Sequence, residues 1–228
     1  MHLARLKLRD FRNIRRLDVA FEPGFHVLLG RNAQGKTNLL EAVYLLATLR
    51  SFRGVGNAQI IRHEQRAFFA GGLALGQAES DIRYYWSAAQ RKLTVNEKPI
   101  RRVADYLGAL RTVVFCTEDS LLVNGPAKSR RRFLDLLLTQ TRPGYLDLLH
   151  RYTEALRSRN ALLKRDSPDL ALLDSFTREL VATGHIIDLA GLSEKVGNFC
   201  TDIAENPPAD AESVTAMIKA LVEDLKAL

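Results

Sequence analysis

The 228-residue sequence predicts an α/β lobe with a mixed sheet, followed by an all-helical arm. Two observations predict it. Residues 1–124 alternate short β-period runs with Gly and Pro turns, around one Gly-rich loop set between an apolar run and a helix-period stretch. After Gly125-Pro126, leucines recur at three- and four-residue steps among arginines. The expected domains are therefore 1–124 and 125–228.

The elements follow in order. Leu6 and Leu8 alternate with Lys7 and Arg9, and Leu17, Val19 and Phe21 alternate with Asp18, Ala20 and Glu22, the period of half-buried strands. Pro23-Gly24 is a turn. Phe25 to Leu29 is a nearly continuous apolar run, as expected of a strand covered on both faces. Beyond the next loop, Leu39, Leu40, Val43, Tyr44, Leu46 and Ala47 form one broad helical stripe. Residues 54–123 read as further strands, punctuated by Gly71-Gly72 and Gly76. Tyr84 to Trp86 favours a strand, and Leu93 and Val95 lead through Asn96-Glu97 to Pro99-Ile100 as a hairpin. Thr112 to Cys116 reads as another buried strand. In the arm, Ser129 is placed to cap a helix through Leu138, which Pro143-Gly144 breaks. Leu146, Leu149, Tyr152 (or Thr153), Leu156 and Leu163 make one side of a helical hairpin or short coiled coil ended by Ser167-Pro168, and two or three further helices fill the rest, with a break at Pro207-Pro208.

Composition narrows the class. Hydrophobic residues are 46% and charged residues 26%, enough for a packed core and unlike a disordered polymer. No apolar run reaches the roughly 18 residues of a membrane helix; the nearest, Leu39 to Leu49, is interrupted by Glu41. The N-terminus has no continuous apolar stretch, so neither a signal peptide nor a membrane partner is expected. Cys116 and Cys200 form no metal-type pair and read as thiols of a reducing, cytoplasmic compartment. Net charge is +7, divided as +15 over residues 1–165 and −8 over residues 166–228. A basic first part points to a polyanionic partner.

The sharpest signal is Gly30-Arg31-Asn32-Ala33-Gln34-Gly35-Lys36-Thr37, a full match to G-x-x-x-x-G-K-[ST] with an apolar run before it and a helix after it. The glycines let the backbone curl so that its N–H groups face phosphate oxygens at a helix N-terminus. Lys36 is placed to reach the β- and γ-phosphates, and the Thr37 hydroxyl to take a Mg²⁺ position. The motif predicts nucleotide binding without specifying the reaction, since kinases, GTPases and motor ATPases share it.

Five ordered blocks over residues 3–165 then resemble the RecF family of bacterial DNA replication and repair proteins, ABC-type ATPases related to the structural-maintenance-of-chromosomes proteins. They are Leu6 to Asn13 with its Phe11-Arg12-Asn13 turn; the phosphate loop continuing through Asn38-Leu39-Leu40-Glu41-Ala42-Val43-Tyr44; Ser51-Phe52-Arg53; Val114 to Asp119 with Gly125-Pro126 and Arg130 to Asp135; and Tyr152 with Leu156 to Lys164. The resemblance covers the N-terminal part of the family only and fades after about Thr183. It implies ATP with Mg²⁺ as cofactors, ATP-dependent head-to-tail dimerisation, double-stranded or gapped DNA and recombination-mediator proteins as partners, and a place in recombinational gap repair and the SOS response. By position it implies a nucleotide site of Gly30, Arg31, Asn32, Ala33, Gln34, Gly35, Lys36, Thr37 and Asn38, with Arg12 and Asn13 near the nucleotide. A solvated turn is the other reading of Arg12 and Asn13.

Such ATPases also use a signature Leu-Ser-x-Gly-Gln turn and a Walker B strand ending in acidic residues. Neither is found in this sequence. Thr112 to Cys116 with Thr117-Glu118-Asp119, and Leu170-Ala171-Leu172-Leu173-Asp174, are the nearest to a Walker B strand; Gly191-Leu192-Ser193-Glu194 lacks the Gly-Gln of a signature. The expectation is an ATP-binding lobe without its catalytic segment, and no catalytic residue is assigned. In the arm, Arg130, Arg131, Arg132, Arg157 and Lys164 are the expected DNA contacts, within a stretch (124–165) of net charge +7. The bland reading is a solvated helix face paired to Asp135, Asp147 and Glu154. Alternatives to the repair reading are a non-catalytic remnant or binding module, a related ATPase of phage defence, and a small-molecule kinase.

Overall fold

Alternation at the N-terminus produces a long strand, β1 (His2–Phe11), which buries Leu6, Leu8 and Phe11 and exposes Arg5, Lys7 and Arg9. In the computed structural model, residues 1–116 and 126–186 are described. The chain divides into two compact units, Met1–Phe115 and Cys116–Leu228.

In the first unit, β1 turns back through Arg12-Asn13 into β2 (Ile14–Ala20), and a meander follows: β3 (Ala67–Leu75), β4 (Glu79–Ser87), β5 (Arg91–Val95) and β6 (Lys98–Pro99). The sheet order is β2-β1-β3-β4-β5-β6, antiparallel at each pairing. The β5–β6 turn sits at Asn96 and Glu97, both with positive φ (50° and 65°), the geometry of a tight hairpin. Helix α1 (Lys36–Thr48) contributes Ala42, Leu45, Leu46 and Ala47 to the core with Leu6, Leu8, Phe68, Ile82 and Tyr84. Phe68 stands edge-on to both Phe11 and Tyr84. Each fully buried side chain of this size contributes about 1.5–3 kcal/mol relative to exposure. The Tyr106 hydroxyl ties the C-terminal part of the unit to α1 by donating to the Leu46 carbonyl at 2.6 Å.

Four expectations change. Gly71-Gly72 do not punctuate; they lie inside β3, because a Cβ on Gly72 would stand 2.7 Å from Leu46 Cδ2 and 2.8 Å from Leu3 Cδ1. The glycine lets α1 approach the sheet closely. Phe25 to Leu29 forms no strand. Phe25, Val27 and Leu29 are 99%, 79% and 87% exposed. A run apolar on both faces needs strand neighbours and cover on each side, and none of the six described strands pairs with it. Thr112 to Cys116 is likewise extended without being a strand, with Val113 and Phe115 exposed. On α1, Leu40 faces solvent and Leu45 is buried in its place.

In the second unit, α2 (Ala127–Thr141), α3 (Tyr145–Leu163) and α4 (Leu170–Ile186) follow one another. Ser129 is not the cap of α2. Pro126 holds the N-cap position in an extended conformation, and its carbonyl accepts from the Ser129 N–H at 2.9 Å. Gly144, at φ 82°, separates α2 from α3 as Pro143-Gly144 predicts. Along α3 the buried positions are Tyr145, Ala155 and Leu162; Leu156 and Leu163 lie just off that line and are exposed. The Tyr145 hydroxyl donates to Asp135 of α2 at 2.8 Å, and Arg151 of α3 pairs with Glu179 of α4 at 2.8 Å. Leu170 to Asp174 is the first turn of α4, not a Walker B strand, and Asp174 pairs with Arg178 one helical turn on. Residues 117–119, Gly191 to Glu194, Cys200 and Pro207-Pro208 lie outside the described residues.

Candidate nucleotide site

The loop from Gly30 to Thr37 is shaped by backbone conformations that few residues adopt. Gly35, immediately before α1, has φ 103°, and a Cβ there would meet Asn13 Oδ1 at 2.8 Å. The conformation demands glycine, and a Cβ would also push the Asn13 amide aside. Ala33 has φ 66°, a left-handed conformation that costs an L-residue roughly 1–2 kcal/mol. Its carbonyl is held by the Asn13 side-chain amide at 3.1 Å, a bond from the β1–β2 turn that offsets part of this cost. Lys36 folds back, its ammonium donating to the carbonyls of Gly30 (2.6 Å) and Arg31 (2.8 Å). Arg31, Asn32, Ala33, Gln34 and Thr37 are exposed. The loop thus stands formed with its face open to solvent.

A chain of side chains fastens this loop to the sheet. Asn38 Nδ2 donates to Asn13 Oδ1 (2.8 Å), and Arg53 Nη1 donates to Asn38 Oδ1 (2.9 Å). One turn further along α1, the fully buried Glu41 accepts from Arg12 through Nη2 (2.7 Å) and Nε (3.0 Å) and from Ser51 Oγ (2.5 Å), with Arg53 Nη1 3.3 Å away. Arg12 also donates to the Gln59 carbonyl at 2.9 Å, and its own N–H to the Ile60 carbonyl at 2.7 Å. Arg12, Asn13, Asn38, Arg53, Arg62 and His63 line an open cavity of about 590 Å³ beside the loop. Arg62 is partly neutralised by Asp10 at 3.1 Å. The cavity wall is cationic, of the right charge for an anionic ligand.

The turn Arg12-Asn13 is thus tied in place: Asn13, though exposed, bonds the loop and Asn38, and Arg12 bonds Glu41 of α1. Glu41, Ser51 and Arg53 complete the brace, and sequence reasoning assigned them no role. The signal was present in Glu41, the one charge interrupting the apolar run Leu39 to Leu49. The donor set also suits Mg²⁺. Thr37 offers an exposed hydroxyl oxygen at the loop's exit, and Mg²⁺ takes such a ligand together with phosphate oxygens and waters. Among the described residues no group of three or more acidic, His or Cys side chains gathers to hold a metal alone.

The expected DNA contacts lie in the second unit. Arg130 is half-buried and Arg131 and Arg132 are exposed at the start of α2. Arg157 and Lys164, seven residues apart at the end of α3, are exposed along one side of it. Arg151 and Arg159 are instead spent on α4, through Glu179 and the Thr177 hydroxyl. Among the described residues no helix is long and apolar enough to cross a membrane.

Loop, helix and sheet together define a lobe of the P-loop class, followed along the chain by a helical unit. A family model described as "Protein of unknown function (DUF2813)" matches residues 1–52. The chain is 42% identical over 190 residues to a DNA replication and repair protein RecF of Synechococcus sp. (strain JA-2-3B'a(2-13)), covering 81% of this chain and 50% of the relative. It is 40% identical over 185 residues to RecF of Halalkalibacterium halodurans, covering 79% and 50%. A solved structure described as the recombination mediator protein RecF with ATP in the RecFOR pathway superposes with a TM-score of 0.77 at 30% identity, over 90% of this chain and 57% of that one. The chain is thus related to the N-terminal part of the RecF proteins, and it spans about half the length of the curated relatives it matches.

Proposed function

We propose that this chain serves as a RecF-like DNA replication and repair protein. It binds ATP with Mg²⁺ in the loop Gly30–Thr37 and duplex or gapped DNA on its helical arm. The observation that carries the reading is the phosphate loop, braced by Asn13 and Asn38. Kinship with RecF, solved with ATP, supports the nucleotide. Lys36 exchanges a loop carbonyl for phosphate oxygens, Thr37 shares in Mg²⁺, and the cationic cavity holds the rest of the nucleotide.

Recombination mediators and an ATP-dependent second copy are the partners this reading implies. Equilibrium binding of labelled ATP with Mg²⁺, compared between the chain and its Lys36→Ala variant, tests the nucleotide claim: binding to the first and its loss in the second are expected. Salt titration of duplex binding tests the DNA claim, with affinity falling steeply between low and physiological salt. A flat profile refutes it.

A further inference from the structure

Glu41 is buried beyond reach of any ligand, yet it sits one helical turn from the phosphate loop and organises the cationic wall beside it. We infer that Glu41 is a positioning residue for nucleotide binding: through a two-point ion pair it fixes the Arg12 guanidinium, and with Asn38 it holds Arg53, so that both cations stand at the cavity next to Gly30–Thr37. This rests on the reading of that loop as a nucleotide site.

The geometry sets a division of labour. Arg12 occupies both carboxylate oxygens, at 2.7 and 3.0 Å, and is further tied to the Gln59 carbonyl, so its plane is fixed. Its backbone, at φ 53°, is held in the left-handed region, which stands only where the surroundings enforce it. Arg53 touches Glu41 at only 3.3 Å and reaches Asn38 at 2.9 Å, which in turn touches Asn13 and hence the loop. Two guanidinium groups around one carboxylate leave an excess of one positive charge, directed at the cavity that both line. Ser51 closes the remaining approach to the carboxylate. Glu41 thus gives order to two arginines whose charge it only half cancels.

Charge alone and positioning predict opposite signs. Glu41→Gln removes a negative charge beside the site, which would tighten a polyanion if charge were all that mattered. Positioning predicts the reverse, because a neutral amide cannot hold Arg12 at two points. Titration calorimetry with ATP and Mg²⁺ on the whole chain decides between them. Expected is a loss of about tenfold or more in affinity for Glu41→Gln, the scale of a lost charge-assisted hydrogen bond. On an Arg12→Ala background the same change should add less than about twofold, because Glu41 then has little left to position. Arg12→Lys, which keeps the charge but not the two-point pair, should lose affinity like Arg12→Ala, and it serves if Glu41→Gln does not fold. Unchanged or tighter binding by folded Glu41→Gln, full additivity with Arg12→Ala, or wild-type binding by Arg12→Lys overturns the assignment. ATP binding by the parent chain in those cases leaves the nucleotide reading standing; no binding by the parent chain, with or without Lys36, overturns both.

Discussion

β1 and the segment Phe25–Leu29 are both built from residues that favour strands, and they lie some fifteen residues apart. In β1 only every second side chain is apolar, and the described sheet and α1 satisfy it: Leu6 and Leu8 are buried and β2 and β3 pair its two edges. In Phe25–Leu29 nearly every side chain is apolar, and Phe25, Val27 and Leu29 face solvent. Alternation encodes an element with one covered face, which a local meander supplies. A continuous apolar run encodes cover on both faces, and the described part of the unit supplies neither. The phosphate loop stands between these two situations. It follows the uncovered run, but its shape comes from the covered side, through Asn13 and α1.

The contrast can be broken by mutation. The largest effect expected is on ligand rather than fold: Lys36→Ala should reduce ATP affinity by about a hundredfold or more, through loss of the one ammonium that reaches the phosphates, while circular dichroism stays unchanged. Retained affinity would mean the loop is not the site. Next in size is a paired test of the two strands. Leu6→Ala should cost about 2–5 kcal/mol in denaturant unfolding, whereas Val27→Ala should stay within about 0.5 kcal/mol. Equal losses would mean that the run is covered in solution. A smaller effect is expected for Arg131→Ala with Arg132→Ala: duplex affinity should drop several-fold and the slope of log affinity against log salt should shrink by up to about two. An unchanged slope would remove these residues from the DNA surface.

The smallest effect concerns alkaline pH. Burial pushes the Tyr84 hydroxyl up to about 12 from its ordinary 10, with Asn57 opposing weakly by donating to its oxygen. The unfolded chain therefore loses this proton first as pH rises. Tyr84 contributes stability that is complete below pH 10 and is lost between 10 and about 12. Tyr106 is raised in the same direction by its burial. Unfolding midpoints followed from pH 8 to 12 should fall above 10, and less so in Tyr84→Phe. A fall of equal size in the variant would assign the effect elsewhere.

These residues also mark what could be read from the chain alone. The strands β1, β2 and β5–β6, the helix after the loop, and the loop itself carry local signals: alternation, a two-residue turn at Asn96-Glu97, and fixed glycine spacing. Gly72 departs from the punctuating role its type suggests, because its reason is the closeness of Leu46, twenty-six residues away, which no local pattern reports. Leu156 and Leu163 depart from expectation because neighbouring lines on a helix differ by one residue, and burial falls on Ala155 and Leu162. The brace around Glu41 was half visible, as a charge in an apolar stripe. Its partners, Arg12 and Arg53, come from either side of α1 in sequence, and only the fold brings them to one carboxylate. The apolar run at 25–29 has the chemistry of a covered strand, but the cover it calls for is not in the described sheet.

The central claim, a braced phosphate loop that binds ATP, is tested most directly by measuring bound ATP in samples of the purified chain and of its Lys36→Ala variant with Mg²⁺. Saturable binding that Lys36→Ala abolishes is the predicted result. No saturable binding, or binding that Lys36→Ala leaves unchanged, would contradict it.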